Sequence, residues 1–250
     1  MVNDAIPNVG FRSMSAARYH ADPCAIPSLS SHCAATLITR SPAHAWQEHP
    51  RLGGGVKWKP NRAKQRGSLA HELLLRPAGL ELEKSVVVIR ADSYRSKTAQ
   101  EERDAAIADG LLPVLERELD AATIVCGKLC AQLLDHGIRL NGESEVAAFW
   151  QEIASDGTVV QCRGMLDHVV RAEGRIYELK TCRSAHPRAI QKAIEAYSYH
   201  IQWAAYTRAL AAIEPRLAGR VQHQWLFCEL EPPYVVVPAE AAGSMRKLGE

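Results

Sequence analysis

"CRGMLDHVVRAEGRIYELKTC" (residues 162–182) reads as two short β-strands joined by a turn at Ala172–Glu173–Gly174. Asp167 stands between Leu166 and His168–Val169–Val170, and Glu178 stands between Tyr177 and Leu179, with Lys180 next. Alternate side chains of a strand share a face, so Glu178 and Lys180 lie together, opposite Tyr177 and Leu179. Antiparallel pairing across the turn can bring Asp167 beside Glu178. Two carboxylates about 4–5 Å apart repel, and burying them is costly unless a cation sits between them. A hard divalent ion, Mg²⁺ or Mn²⁺, meets that need with oxygen ligands and retained waters. The backbone carbonyl of Leu179 can add a ligand. Lys180 is then placed to position or deprotonate a water, or to stabilise charge on a phosphate. On spacing alone, an ordinary surface pair between Glu178 and Lys180, with Asp167 unrelated, is an equal reading.

The flanking sequence extends the sheet. "EVAAFWQEI" (145–153) and "TVVQCRGMLDHVV" (158–170) precede "RIYELKTC" (175–182), with turn signals between them, and predict a meander. "HPRAIQKAIEAYSYHIQWAAYTRALAAI" (186–213) predicts one long helix, with Ile190, Ile194, Tyr197 and Ile201 at helical spacing. "RVQHQWLFCEL" (220–230) and "YVVVP" (234–238) close the chain as strands. The first half reads as mainly helical. "IPSLSSHCAATLITRSPAHAW" (26–46) holds a helix capped by Ser28 or Ser30 and stopped at Ser41–Pro42. "RGSLAHELLL" (66–75) is a helix ended by Pro77, "KSVVVIRA" (84–91) a strand, and Thr98 to Gly137 two helical pieces broken near Gly110–Pro113. Helices followed by β-β-β-α-β predict a mixed α/β or α+β domain with a central sheet.

The 250 residues suit one large domain or two small ones; 47% are hydrophobic and 23% charged, as in an ordinary globular protein. A net charge of +2 neither demands nor excludes nucleic acid. The charge is unevenly spread: "RLGGGVKWKPNRAKQR" (51–66) carries Arg51, Lys57, Lys59, Arg62, Lys64 and Arg66 and no acid. It is either a solvated linker or a phosphate-contacting arm. The N-terminus lacks a basic start followed by an apolar run, and no stretch approaches the ~18 apolar residues of a membrane span. The seven scattered cysteines suit free thiols in a reducing cytoplasm, with Cys126 and Cys130 as core thiols. A zinc module from His20/Cys24 and His32/Cys33 matches no familiar spacing.

Asp-x10-Glu-x-Lys in a hairpin followed by a long helix resembles the core of the PD-(D/E)XK nuclease superfamily, a restriction-endonuclease-like fold. "RGSLAHELLL" resembles the Gly-x-x-x-His helix of the subgroup that includes the RecB and AddB nuclease domains, and "YHIQWAAY" resembles its Gln-x-x-x-Tyr helix. More narrowly, the chain is similar to the phage and prophage exonuclease VIII (RecE-type) enzymes through "YHADPCAIPSLSSHCAATLITRSPAHAW", "DSYRSKTAQEERDAAIADG", "ELKT" and "YSYHIQWAAY". The resemblance implies a single exonuclease domain over 1–250, with a mainly helical part to residue 140 and a ββαβ catalytic core over 141–240. It implies a Mg²⁺-dependent exonuclease that degrades one strand of linear duplex DNA from the 5′ end, assembles as a homo-oligomeric ring and feeds a single-strand-annealing recombination protein. Asp167 and Glu178 become metal ligands with Leu179, Lys180 the catalytic lysine, His71 and Glu145 further ligands. Gln202 and Tyr206 turn toward the active site and the DNA, and Tyr199, on the same helix face, reads as packing. Loop 51–66, through Lys57, Lys59 and Arg62, together with Arg95 and Lys97, is the candidate DNA-tracking surface. Met165 stands where the family often has arginine, with Arg163 displaced. The cysteine triplet of the iron–sulfur relatives is missing, so no cluster is expected. A nuclease-fold DNA-binding protein without catalysis is the alternative.

Overall fold

The structure is a computed structural model and describes residues 8–55, 62–75 and 82–245. Its centre is a mixed sheet in the order β1-β5-β6-β7-β8-β9. The expected meander is β5 (Glu143–Ile153), β6 (Val159–Val170) and β7 (Arg175–Cys182), antiparallel throughout. β8 (Gln222–Glu229) then lies parallel to β7 over its whole length, and β9 (Val236–Glu240) returns antiparallel. β1 (Gly10–Ser13) extends the far edge on β5. One face packs on helices α4 (Arg62–Leu75) and α6 (Glu116–Asp135) through Ala70, Leu74, Leu129 and Leu133 against Val170, Tyr177 and Leu179. The other face meets α8 (Tyr199–Ile213), whose Tyr206, Ala209 and Leu210 cover Val146, Leu166, Val169 and Ile176. A mixed α/β fold therefore stands as expected.

Two local expectations are corrected and a third is refined. The segment 186–213 is two helices, α7 (Pro187–Ala196) and α8, because Ser198 turns left-handed at φ 55 between them. Serine is no helix breaker in sequence, and the apolar spacing runs straight across the joint, which hides it. The apolar run Leu111–Leu115 is not helical: Gly110, at φ 74, ends α5 (Lys97–Ala108), and β4 (Leu112–Leu115) pairs parallel with β3 (Val86–Ile89) in a separate small sheet. In 26–46, Ser30 caps α2 (Ser31–Thr39) by accepting from the Cys33 amide, whereas Ser28 lies buried; Ser41–Pro42 stops that helix but also starts α3 (Pro42–Glu48). Leu29 and Ser30 form β2, which pairs parallel with Cys162 and Arg163 of β6. Pro77 lies outside the described residues.

Arg163 is buried, and its guanidinium donates to Ser28 at 2.6 Å and faces the Asp22 carboxylate at 3.3 Å. It therefore fixes β2 to β6 and contacts no solvent-borne phosphate. His20, Cys24, His32 and Cys33 do not converge: His32 faces Glu48 at 3.1 Å, and Cys24 and Cys33 are buried free thiols. The zinc-module reading falls with them. Among the described residues, no helix is long and apolar enough to cross a membrane.

Gly164 sits where Tyr206 crosses β6; a Cβ there would stand 2.6 Å from the Tyr206 ring, which is buried and cannot swing away. Gly164→Ala is expected to cost about 1–3 kcal/mol by overpacking, measured by urea unfolding, while Gly157→Ala, with nothing near its Cβ, bears only the cost of its positive φ.

Candidate functional site

The candidate site lies where β6 and β7 part. Their ladder runs Val170↔Arg175, Val169↔Ile176 and His168↔Tyr177, and stops there. One step further the side chains take over: the Leu179 amide donates to Asp167 Oδ2 at 2.8 Å, and the Asp167 amide donates to Glu178 Oε1 at 3.2 Å. Each acid thus satisfies a backbone N–H that the parting strands leave behind. The regular alternation of β6 also slips here, because Leu166 and Val169, three apart, lie in the same core cluster. On the β5 side, register places Glu145 opposite Asp167, between the pairs Ser144↔His168 and Val146↔Leu166, and Glu145 adopts φ 50. A left-handed conformation in a strand is costly for a side-chain-bearing residue. Here it accompanies a strand irregularity that sets Glu145 beside Asp167. His168 braces the bend: Nδ1 and the Ser144 hydroxyl are 2.7 Å apart, and Nε2 accepts from the Gly142 amide at 2.9 Å.

From the opposite layer α4 brings His71, whose Nδ1 lies 3.8 Å from Asp167 Oδ2 and 3.9 Å from Glu145 Oε1. One ligand atom from each of His71, Glu145 and Asp167 lies within 4.8 Å of the others, and this is the one such group among the described residues. Opposed ligands of a Mg²⁺-sized ion stand about 4.2 Å apart, so the donor set fits a divalent ion after a small contraction. The imidazole suits a transition ion such as Mn²⁺ better than Mg²⁺. Glu178 is placed differently from the expectation. It lies outside that converged group, fully buried, with Oε2 accepting from Lys180 Nζ at 3.1 Å and from Gln202 Nε2 at 3.0 Å. It adjoins the group through Asp167.

Among the described residues, too few positive charges face these acids. Burial, then the neighbouring Asp167 charge, raises the Glu178 carboxyl, with Lys180 opposing. Burial likewise raises Glu145, aided by Asp167, although His71 pulls the other way. For His71, burial favours the neutral ring, but Asp167 and Glu145 together outweigh it and raise its pKa. Burial would also discharge Lys180, yet Glu178 and Asp167 overcome it and hold the ammonium charged. Each shift reports a site that retains protons for want of cations.

Around this centre the other anticipated residues divide. Gln202, on the first turns of α8, grips Glu178; its Oε1 is buried without a hydrogen-bond partner among the described residues. Tyr206 is 4% exposed, and its hydroxyl sits beside the side chains of Gln202 and Ser31. It braces Gln202 from within. Tyr199 packs near Phe227 but also lies under Lys180, whose Nζ is 4.8 Å from the ring centre. The spacing Tyr199-x-x-Gln202 was visible in sequence; that its ring meets the lysine was not. Ser31 carried no sequence signal. Arg95 and Lys97 are exposed at the start of α5, in the layer of the small sheet, not on the elements that carry the acids. Lys57 and Lys59 lie outside the described residues, as does the side chain of Arg62.

The sequence profile of the family described as "PDDEXK-like domain of unknown function (DUF3799)" matches residues 34–217, a span that includes all five of His71, Glu145, Asp167, Glu178 and Lys180. Among solved structures, a protein from Eubacterium rectale described as "Putative exonuclease" superposes with a TM-score of 0.60 at 9% identity, covering 95% of this chain and 81% of that one. That likeness is one of fold. A structure described as SSO0001 matches at a TM-score of 0.31 and 14% identity, over 76% of this chain and 85% of that one, too distant to carry an argument. No curated protein matches.

Ligation requires His71 neutral and Glu145 and Asp167 ionised, and the raised pKa values of His71 and Glu145 mean that protons compete with metal. Mn²⁺ affinity, measured by titration calorimetry, is expected to fall as pH is lowered from about 8 to about 5, with protons released on binding. His71→Ala is expected to weaken it by about tenfold or more and to flatten the pH dependence.

Proposed function

Because the chain belongs to the family of PDDEXK-like domains, we propose that it is a divalent-metal-dependent exodeoxyribonuclease that hydrolyses linear double-stranded DNA. The observation that carries this reading is the parted β6–β7 pair, which holds Asp167, Glu178 and Lys180 with His71 and Glu145 closing in from two other elements. His71, Glu145 and Asp167 would hold the ion, with Glu178 and the Leu179 carbonyl at its border. When bound, a divalent ion there supplies positive charge against a phosphate and lowers the pKa of a water.

The remaining work falls to the chain itself. Lys180 has three N–H donors and shows one to Glu178. The others are available to orient a water and to stabilise charge building on the phosphate oxygens. With its proton held by the neighbouring carboxylates, Lys180 acts as a charge donor rather than a base. Gln202, backed by Tyr206 and Ser31, keeps Glu178 aimed. Arg62, Arg95 and Lys97, with the basic segment that holds Lys57 and Lys59, form the DNA-tracking surface of this reading. The resemblance to RecE-type enzymes supports digestion from 5′ ends, a ring of several copies around the duplex, and a single-strand-annealing partner.

The test uses linear duplex labelled at the 5′ or the 3′ end, with and without Mg²⁺ or Mn²⁺. Metal-dependent release from 5′ labels is expected, with kcat lowered by about 100-fold or more in Lys180→Ala while circular dichroism shows the fold intact. If wild type and Lys180→Ala release label at the same rate, the catalytic assignment is wrong. If neither cleaves yet both bind DNA, the protein is a nuclease-fold binding protein.

A further inference from the structure

Tyr197 is one of the most exposed large side chains in the structure, at 70%, although it directly precedes the buried joint Ser198. Its ring is not loose on the surface. It stacks on Tyr199 with ring centres 5.6 Å apart and planes 27° from parallel. Tyr199 in turn meets the ammonium of Lys180 at 4.8 Å and packs near Phe227 at 6.3 Å. Lys180, Tyr199 and Tyr197 therefore form a row that leads from the buried acids to solvent. The left-handed turn at Ser198 makes the row possible: residues two apart on a continuous helix point in different directions, whereas the break between α7 and α8 lets both rings lie face to face.

An exposed aromatic ring, stiffened from behind and connected to a charged lysine, is the arrangement that binds nucleobases. Every base has a π-face, so stacking on tyrosine is tolerant of sequence, which suits an enzyme that must pass along any DNA. A tyrosine kept for the core alone would bury its ring. We propose that Tyr197, supported by Tyr199, is a stacking platform for the terminal base of the DNA strand whose phosphate reaches Lys180. The inference rests on the nuclease reading of the Lys180 site, but the binding that it describes needs no hydrolysis. The platform would hold an unpaired base. The end of the duplex would then open by at least one pair as the strand enters, and the stack would offset the pairing that is lost.

The test separates binding from cleavage. The full chain is titrated in EDTA, where no metal-dependent cutting occurs, with a duplex that carries 2-aminopurine as the unpaired 5′-terminal base of a short overhang. Stacking quenches this probe. Wild type is expected to quench it, Tyr197→Phe to quench it equally, and Tyr197→Ala to lose the quenching and bind about tenfold more weakly. A 2-aminopurine placed in the middle of the duplex serves as the control and is expected not to respond. Sedimentation of each variant runs alongside. Quenching by Tyr197→Ala equal to wild type would overturn the proposal. So would a change in assembly mass for Tyr197→Ala with quenching intact, which would make Tyr197 a contact between copies. If quenching follows Tyr197 but no variant cleaves DNA, the platform stands and the nuclease reading falls.

Discussion

Two hydrogen bonds organise the site: Leu179 N–H to the Asp167 carboxylate and Asp167 N–H to the Glu178 carboxylate. β-Strands that part inside a protein leave amides that must find acceptors, and an unsatisfied buried amide costs about 1–3 kcal/mol. Here the acceptors are the carboxylates of the candidate site, Asp167 and Glu178. The split in the sheet and the acids therefore stabilise each other. The strands can part because the acids receive their amides, and the acids are held in place because the amides fix them. Leu179 and Tyr177 anchor the same strand in the core formed with α4 and α6, so the split cannot widen without opening that core.

The arrangement satisfies hydrogen bonds but leaves charge unbalanced. Among the described residues, Asp167, Glu178 and Glu145 face one permanent cation, Lys180, and one titratable one, His71. Buried charge of one sign is tolerated only if protons or cations neutralise it, and the raised pKa values of Glu178, Glu145 and His71 show protons in that role. A divalent ion would displace them. The chain has folded around a deficit of positive charge, with Gln202 donating to Glu178 and the His168–Ser144 pair bracing the bend beside Asp167.

Much of this was legible in residues 162–182. The alternation of apolar residues located the strands, and the acid that interrupts each of them marked the candidate site, although on spacing alone an ordinary surface pair was an equal reading. His71, Gln202 and Tyr206 were reached only through motif likeness: nothing in helical periodicity says which polar residue on a face turns inward. What stayed hidden has a common cause. The break at Ser198, the parallel strand at Leu112–Leu115 and the left-handed Glu145 are all backbone choices imposed by tertiary contacts on residues of ordinary local preference. Glu145 has no glycine-like freedom; it is bent because β6 slips opposite it. The separation of Glu178 from the converged ligands was equally beyond sequence, since spacing gives the face of a strand but not the distance to a histidine on another layer.

Where β7 departs from β6, a sheet would ordinarily expose an unpaired edge, and such edges invite other strands to add to them. β2 prevents this. Its two residues pair with Cys162 and Arg163 from the same side, and the Arg163–Asp22–Ser28 contacts fasten it there. Only the short stretch 164–166 lies between that cover and the Asp167–Leu179 bond, and Tyr206 is packed against its glycine. On the β6 side the gap is too short for a foreign strand to register in, and it ends at the acids.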